Sequence, residues 1–195
     1  MRIAPKPLGA YPWHLRPFFW NQRRKYGRVL DAALLWARSP KVFMGVALLY
    51  GAIDRRGSPL DPALRSLLTV RISKINHCGF CIDINAALLL ERGIDEDKLW
   101  ALDDWRGSDR FSDRERVALE YAESITRSDL EVTDNLMASL KQAFEDDAII
   151  ELTALIAFQN MSSKFNAALA VPPQGFCKVT QTKPGEAQSN HPGDR

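Results

Sequence analysis

Apolar residues recur at intervals of three and four over most of the chain after residue 28, and no stretch alternates between apolar and polar residues as a strand does. The clearest helix signal begins at Asp61, which can cap a helix whose first position is Pro62. Ser112 and Glu115 have the spacing of a capping box at the start of a second helix. This pattern predicts an all-α fold.

The ends of the helices are marked by proline and glycine. Pro40 and Pro172 each follow a helical stretch, and Gly93 has the position of a C-terminal cap. Helices are expected over residues 23–39, 42–52, 61–76, 78–92, 95–102, 112–126, 133–144 and 146–170.

Charge is distributed unevenly although the net charge is only +2. Residues 1–28 contain seven Lys and Arg and no acid, whereas residues 91–151 contain 18 Asp and Glu against 8 Lys and Arg. A basic N-terminal arm (residues 1–28) can therefore lie against the acidic body of its own chain or of a neighbouring subunit. Its aromatic side chains favour burial of this kind over binding to nucleic acid or to a membrane; they are Trp13, Phe18, Phe19 and Trp20.

These features divide the chain into three parts. The arm is followed by a helical domain over residues 29–173 and by a polar tail over residues 174–195 that we expect to be flexible. The longest apolar runs are shorter than the ~20 residues that a membrane-spanning helix needs. The prolines near the N-terminus are not typical of a secretion signal. The sequence therefore predicts a cytoplasmic protein with no membrane or nucleic-acid partner.

The chain has three cysteines, and two of them, Cys78 and Cys81, form a CxxC pair at the expected start of a helix. Backbone N–H groups at a helix start stabilise a thiolate, and the second thiol can resolve the oxidised first one as a disulfide. A zinc site is less well supported, because it needs four ligands and the histidines are scattered. Two buried, inert thiols are the remaining alternative. Cys177 follows the helical domain and is expected to be a bystander.

The stretch LRSLLTVRISKINHCGFCIDINAALLLERG resembles the signature of the carboxymuconolactone decarboxylase / alkylhydroperoxidase D (AhpD-like) family. The stretches FSDRERVALEYAESIT and EDDAIIELTALIAFQNMSSKFNAAL are similar to later helices of that family, so the resemblance covers about residues 28–173. It implies an AhpD-like helical domain in a homo-oligomer, commonly a trimer or hexamer. In the cysteine-bearing branch it also implies thiol peroxidase or disulfide reductase activity.

The chain departs from that branch where the branch moves protons. The branch has a glutamate twelve residues before the first cysteine and a histidine four after the second, and these positions are Ser66 and Asn85 here. Neither residue exchanges a proton readily near pH 7. Among possible substitutes, His77 adjoins the pair and Asp83 lies on another face of its helix. Glu151, Asn160 and Lys164 belong to the last helix, and Arg71, two turns before Cys78, can favour a thiolate or pair with the acidic body.

The sequence therefore predicts a thiol-dependent peroxidase or disulfide oxidoreductase without a bound cofactor or metal. The resemblance favours Cys81 as the nucleophile and Cys78 as the resolving thiol, whereas helix-start electrostatics favour Cys78. A thiol reductant protein or a small dithiol would restore the pair. The alternatives are a redox sensor or disulfide reductase without peroxide turnover, with Ser66 and Asn85 tuning the pair, and a non-catalytic helical oligomer. The lactone decarboxylase reaction needs no cysteine and is disfavoured by the CxxC.

Overall fold

A computed structural model describes residues 1–179 of the chain, and within that range all regular structure is helical. The helices are α1 (Arg16–Tyr26), α2 (Asp31–Trp36), α3 (Pro40–Ile53), α4 (Pro62–Ile75), α5 (Gly79–Glu91), α6 (Glu96–Ala101), α7 (Asp113–Thr126), α8 (Asp134–Ala143) and α9 (Asp146–Ala168). Short 3₁₀ turns lie at Leu8–Ala10, Trp13–Leu15 and Leu102–Asp104. None of the described helices is long and apolar enough to cross a membrane.

Helix α4 is the centre of the fold and packs against α5, α7 and α9. The side chains that fill this main core are almost completely buried, and they include Leu67, Leu68, Ile72, Leu89, Leu119, Leu140, Leu152 and Ile156. Asp61 caps α4 by accepting bonds from the backbone N–H groups of Ala63 and Leu64, and Ser112 forms the expected capping box with Glu115 on α7. These start signals are confirmed.

The helix expected over residues 23–39 is wrong as a single element. Gly27 ends α1 in the left-handed region, at φ 72°, which glycine adopts without steric cost. The chain then extends to Leu30, whose backbone N–H donates to the buried Gln22 side chain at 2.9 Å, and α2 begins at Asp31. The glycine therefore separates two helices that share one apolar pattern.

The N-terminal arm packs on its own chain. Tyr11, Leu15 and Phe19 are buried, and together with α2, Phe43 and the cysteine pair they form a second core beside the main one. Trp13 and Trp20 do not follow the expected burial, since they are 76% and 63% exposed. The basic side chains of α1 share that outer surface with the two tryptophans.

The C-terminal segment (residues 171–177) is docked rather than loose. The backbone N–H groups of Gln174, Gly175 and Cys177 all donate to the buried carboxylate of Asp83, at 2.7–2.8 Å. The expectation of a flexible tail is therefore wrong for its first residues, because three charge-assisted bonds hold them on α5. Residues 180–195, the rest of the predicted tail, lie outside the described residues.

Candidate functional site

The turn between α4 and α5 sets the position of the cysteine pair. His77 lies in the left-handed region at φ 52°, and its N–H donates to the Lys74 carbonyl while that of Cys78 donates to the Ser73 carbonyl. This is the bonding pattern of a Schellman motif, with histidine in the position that glycine usually takes. The motif stops α4 and allows α5 to begin directly at Cys78.

Both thiols of the pair are free and buried. Cys78 is the N-cap of α5, and its sulfur accepts a bond from the backbone N–H of Cys81 at 3.2 Å. The two side chains also share a hydrogen bond with each other. The pair therefore lies at the start of a helix, where the sequence predicts it.

The shared hydrogen bond separates the acidities of the two thiols. It lowers the pKa of Cys78, which receives the bond in its charged form, with further help from the backbone N–H groups of Cys81 and Phe80. It raises the pKa of Cys81, and burial adds to that rise. Cys78 is therefore the more acidic of the two thiols.

A cavity of about 480 Å³ lies beside the pair, between α1, α3, α5 and α9. Cys81 lines this cavity and Cys78 does not. Aromatic side chains form much of its wall, namely Phe18, Trp36, Phe43, Tyr50, Phe80 and Phe158. A small apolar or aromatic molecule in this space would therefore meet Cys81 first.

Asn166 of α9 is the polar side chain that contacts Cys81. Its amide Nδ2 donates to the Cys81 sulfur at 3.3 Å, and the residue is only 1% exposed. This bond lowers the pKa of Cys81, against the larger effects of Cys78 and burial. The sequence analysis did not identify Asn166. A usable signal was present, because the buried face of α9 passes from Leu152 and Ile156 to Gln159, Ser163 and Asn166 at helical spacing.

The structure separates the two positions where the family resemblance had placed its proton relay. Asn85 lines the cavity and donates to the Ser73 hydroxyl at 3.3 Å, a hydroxyl that also accepts from Gln159. The Ser66 hydroxyl instead accepts from Arg92 at 2.9 Å and does not line the cavity. Asn85 is therefore placed beside the cavity, whereas Ser66 belongs to an ion-pair network.

The other candidates from the sequence have structural partners away from the sulfurs. His77 is exposed in the Schellman turn, and Asp83 holds the C-terminal segment. Arg71 pairs with Glu123, the acidic-body alternative that the sequence had left open.

The candidates from the last helix are also placed elsewhere. Glu151 bonds to Arg55 and Ser58, and the Asn160 amide bonds to Asn76 and Thr126. Lys164 is exposed.

Cys177 is buried in the main core rather than outside the helical domain as expected, because Asp83 draws its backbone onto α5. Among the described residues, no group of three or more His, Cys, Asp or Glu side chains is arranged to hold a metal ion.

Sequence comparisons link the chain to a protein family. The profile of the carboxymuconolactone decarboxylase family matches residues 40–124. The chain is 44% identical over 177 residues to the uncharacterized protein YnjA of Escherichia coli (strain K12). The aligned residues cover 91% of this chain and 97% of YnjA. It is 27% identical over 113 residues to the uncharacterized protein YdfG of Bacillus subtilis (strain 168), which covers 57% of this chain and 77% of YdfG.

Solved structures share the fold. An AhpD-core, peroxidase-related protein from Ralstonia eutropha JMP134 matches with a TM-score of 0.80 at 21% identity, covering 90% of this chain and 93% of that one. A cysteine-to-alanine variant of the debrominase Bmp8, in complex with 2,3,4-tribromopyrrole, matches with a TM-score of 0.77 at 19% identity and the same coverage. At these identities the likeness establishes the fold alone. The predicted all-α, AhpD-like fold is confirmed.

Proposed function

Because this chain belongs to the carboxymuconolactone decarboxylase family and has two hydrogen-bonded free thiols beside a cavity, we propose that it is a thiol-dependent peroxidase. Its substrate would be an organic hydroperoxide, and its working groups would be Cys81 and Cys78. The observation that carries the proposal is the position of the pair: Cys81 lines the cavity, Cys78 does not, and the Cys78 sulfur accepts a bond from the Cys81 backbone N–H at 3.2 Å. An inert buried pair would not need an adjoining cavity.

The chemistry needs only the two thiols and a hydroperoxide. The thiolate of Cys81 attacks the terminal oxygen, the O–O bond breaks, and Cys81 becomes a sulfenic acid while the alcohol leaves. The thiolate of Cys78 then attacks the Cys81 sulfur, hydroxide departs and takes up a proton to give water, and a disulfide remains. Two thiols and one hydroperoxide thus yield one disulfide, one alcohol and one water.

The pair can also handle the proton that the family's glutamate and histidine would carry. When the shared proton moves from Cys81 to Cys78, the thiolate forms on the sulfur that faces the cavity. The departing alkoxide, on the far side of the terminal oxygen from Cys81, takes up a proton from solvent, and Cys78 loses its proton to solvent before its thiolate closes the disulfide. This exchange reconciles the lower pKa of Cys78 with attack by Cys81.

A halogenated aromatic ring is the second candidate substrate class. The cavity wall is rich in aromatic side chains, and the debrominase Bmp8 has the same fold and binds a bromopyrrole. Two thiols and one aryl bromide would give a disulfide, the aryl hydride, and bromide with a proton. Bromide release in place of peroxide consumption would identify this activity.

We also propose that the chain works as a homo-oligomer in the cytoplasm, where a reductant protein or a small dithiol restores the pair. Helix α3 supports self-association, because Phe43 is its one buried residue and its exposed side chains are apolar, including Val42, Met44, Leu48 and Leu49. The exposed stripe beside it on α9 is apolar too, at Ile150, Ala154, Ala157 and Met161. A second copy covering α3 would also cover the part of the cavity wall that α3 supplies, which includes Val46, Ala47 and Gly51.

The direct test is to count thiols before and after one equivalent of cumene hydroperoxide at pH 7. Two of the three thiols should disappear, and they should react faster than a free thiol does under the same conditions. Cys81→Ser should not react, whereas Cys78→Ser should stop at a sulfenic acid that dimedone traps. Cys177→Ser is the matched control and should behave as the native protein does.

The other outcomes identify the alternatives. If peroxide leaves the pair reduced while a disulfide substrate oxidises it, the protein is a disulfide reductase or redox sensor. If neither reagent reacts faster than with a free thiol, the helical oligomer has no thiol chemistry. If the dimedone adduct forms in Cys81→Ser instead, Cys78 is the nucleophile.

A further inference from the structure

The amide oxygen of Asn166 is buried without a hydrogen-bond partner among the described residues. The same amide donates through Nδ2 to the Cys81 sulfur at 3.3 Å, and the residue lines the cavity. One side chain therefore presents a donor to the nucleophile and an unused acceptor beside it.

An unpaired buried carbonyl oxygen carries a desolvation cost, and most such atoms in folded proteins have a partner. Neighbouring polar groups do not supply one here. The Gln159 amide is used by Ser73, and the Ser163 hydroxyl donates to the carbonyl of Gln159. A donor that enters the cavity with a ligand would satisfy the Asn166 oxygen, and it would do so next to the reacting sulfur.

We propose that Asn166 is a catalytic residue that binds the hydroperoxide group against Cys81. Its Nδ2–H stabilises the Cys81 thiolate, and its Oδ1 accepts the O–H of the incoming hydroperoxide. This inference rests on the proposed peroxidase function and assigns the subsite that orients the substrate. A substrate held in this way must carry a hydrogen on its terminal oxygen. A hydroperoxide has this hydrogen, and a dialkyl peroxide lacks it.

The geometry places each bond change on a named atom. The hydrogen bond to Oδ1 holds the terminal oxygen beside the Cys81 sulfur, and attack there breaks the O–O bond. The alkoxide departs into the cavity, away from Cys81, and takes up a proton from solvent to leave as the alcohol. The oxygen that stays on Cys81 carries its hydrogen, so the sulfenic acid keeps its bond to Oδ1 until Cys78 closes the disulfide and releases hydroxide.

Other ionisable groups around the cavity contribute to any pH profile measured at this site. Glu91 on α5, Lys25 and Tyr26 on α1 and Tyr50 on α3 line the same space, His77 precedes the pair, and Asp83 and Cys177 lie behind it on α5 and the C-terminal segment. Burial raises the pKa of Tyr50, which keeps it neutral at the pH of the assay. Comparing two reactions of the same thiol cancels these shared effects.

The experiment compares Asn166→Leu and Asn166→Asp with the native protein in two reactions, namely alkylation by iodoacetamide and oxidation by cumene hydroperoxide. Alkylation needs the thiolate alone, whereas oxidation also needs the amide oxygen. In Asn166→Leu we expect alkylation to fall about tenfold and oxidation about 100-fold or more, as for the loss of one oriented donor in other active sites. Native protein should also prefer cumene hydroperoxide to dicumyl peroxide, a preference that Asn166→Leu loses.

Asn166→Asp keeps the shape of the side chain, so it provides a second test if Asn166→Leu does not fold. Its carboxylate cannot donate to the thiolate and repels it, so oxidation should fall steeply above the pKa of the new acid. At lower pH, where the acid is protonated and regains a donor, oxidation relative to alkylation should recover. A side chain with a purely structural role would show no such recovery. Asn160→Asp, on the same helix but bonded to Asn76 and Thr126, is the matched control and should keep the native profile.

The outcomes separate the two proposals. If native protein does not consume hydroperoxide, the peroxidase function is wrong. If native protein consumes it and both Asn166 variants slow alkylation and oxidation by the same factor, or neither, the inference about Asn166 is overturned while the peroxidase function stands.

Discussion

The main core is more closely packed than the layer that contains the cysteines. Around α4, α7 and α9 the apolar side chains are fully buried, and Arg71, Trp105 and Arg106 all bond to the buried carboxylate of Glu123. The layer formed by the N-terminal arm, α2, α3 and the start of α5 has the large cavity and the exposed apolar helix α3. We therefore expect stability to be concentrated in the first region, whereas open space is found in the second.

This division follows from what each region must do. A closely packed interior lowers the free energy of the folded state, but it leaves no room for a substrate. A cavity beside the cysteine pair forfeits packing contacts along its wall. The fold places the cysteine pair on α5, which belongs to both regions, so that a rigid helix holds the thiols at the edge of an open space.

The largest expected effect comes from a truncation in the main core. Leu152→Ala should lower the free energy of unfolding by about 2–5 kcal/mol, because the side chain is completely buried and a cavity would replace it. Urea or thermal denaturation measures the change. The matched control is Leu130→Ala, at an exposed leucine, which should change stability by about 0.5 kcal/mol or less. Equal losses would show that the main core is not the stable region.

An intermediate effect is expected at the buried carboxylate of the main core. Burial opposes the charge on Glu123, but bonds from Trp105 and Arg106 and the ion pair with Arg71 hold the pKa of Glu123 below its usual value. Glu123→Gln should therefore cost about 1–3 kcal/mol at pH 7, because the charge-assisted bonds are lost.

The pH dependence has a definite sign. A carboxyl whose pKa is lower in the folded state contributes stability above its unfolded pKa, near 4.5, and loses it as pH falls through the folded value. The stability difference between native protein and Glu123→Gln should therefore shrink in thermal melts taken from pH 7 down to pH 3. Glu120→Gln, at an exposed position on the same helix, should show neither the loss nor the trend.

The smallest effect on folding stability is expected at the exposed helix of the second region. Leu48 is 69% exposed in the single chain, so Leu48→Glu should change the free energy of unfolding of the monomer by about 0.5 kcal/mol or less. In a homo-oligomer packed through α3, a buried charge would oppose association. Sedimentation should then show a smaller particle, and Cys81 should react faster with a water-soluble maleimide. Gln142→Glu, on exposed α8, is the matched control. An unchanged mass and maleimide rate would argue against association through α3.

The elements of the fold were predictable where local rules decide them. Asp61 and Ser112 cap their helices because the side-chain oxygen and the orphan N–H groups lie within a few residues of each other. The prediction of one helix over residues 23–39 was wrong because Gly27 ends α1, although apolar residues continue beyond it. The docking of the C-terminal segment could not be predicted locally, because its partner Asp83 is about 90 residues away along the chain.

The candidate site was predictable only in part for the same reason. Cys78 and Cys81 belong to one helical turn, so their spacing alone predicted contact between the sulfurs. Asn166 reaches Cys81 across 85 residues of sequence, and a polar residue on the buried face of α9 was the single local sign of it. Ser66 and Asn85 form a pair in the family pattern but have different partners here. The Ser66 hydroxyl accepts from Arg92, and the Asn85 amide donates to the Ser73 hydroxyl.

The amino-acid sequence by itself determined the helical class, the caps and the placement of two thiols at the start of a helix, since each depends on groups that are neighbours along the chain. Only the tertiary structure decided which sulfur faces the cavity, which amide contacts it and which side chains are left exposed. These properties depend on how α1, α3, α5 and α9 pack together. Packing of this kind joins residues that no periodicity or spacing relates.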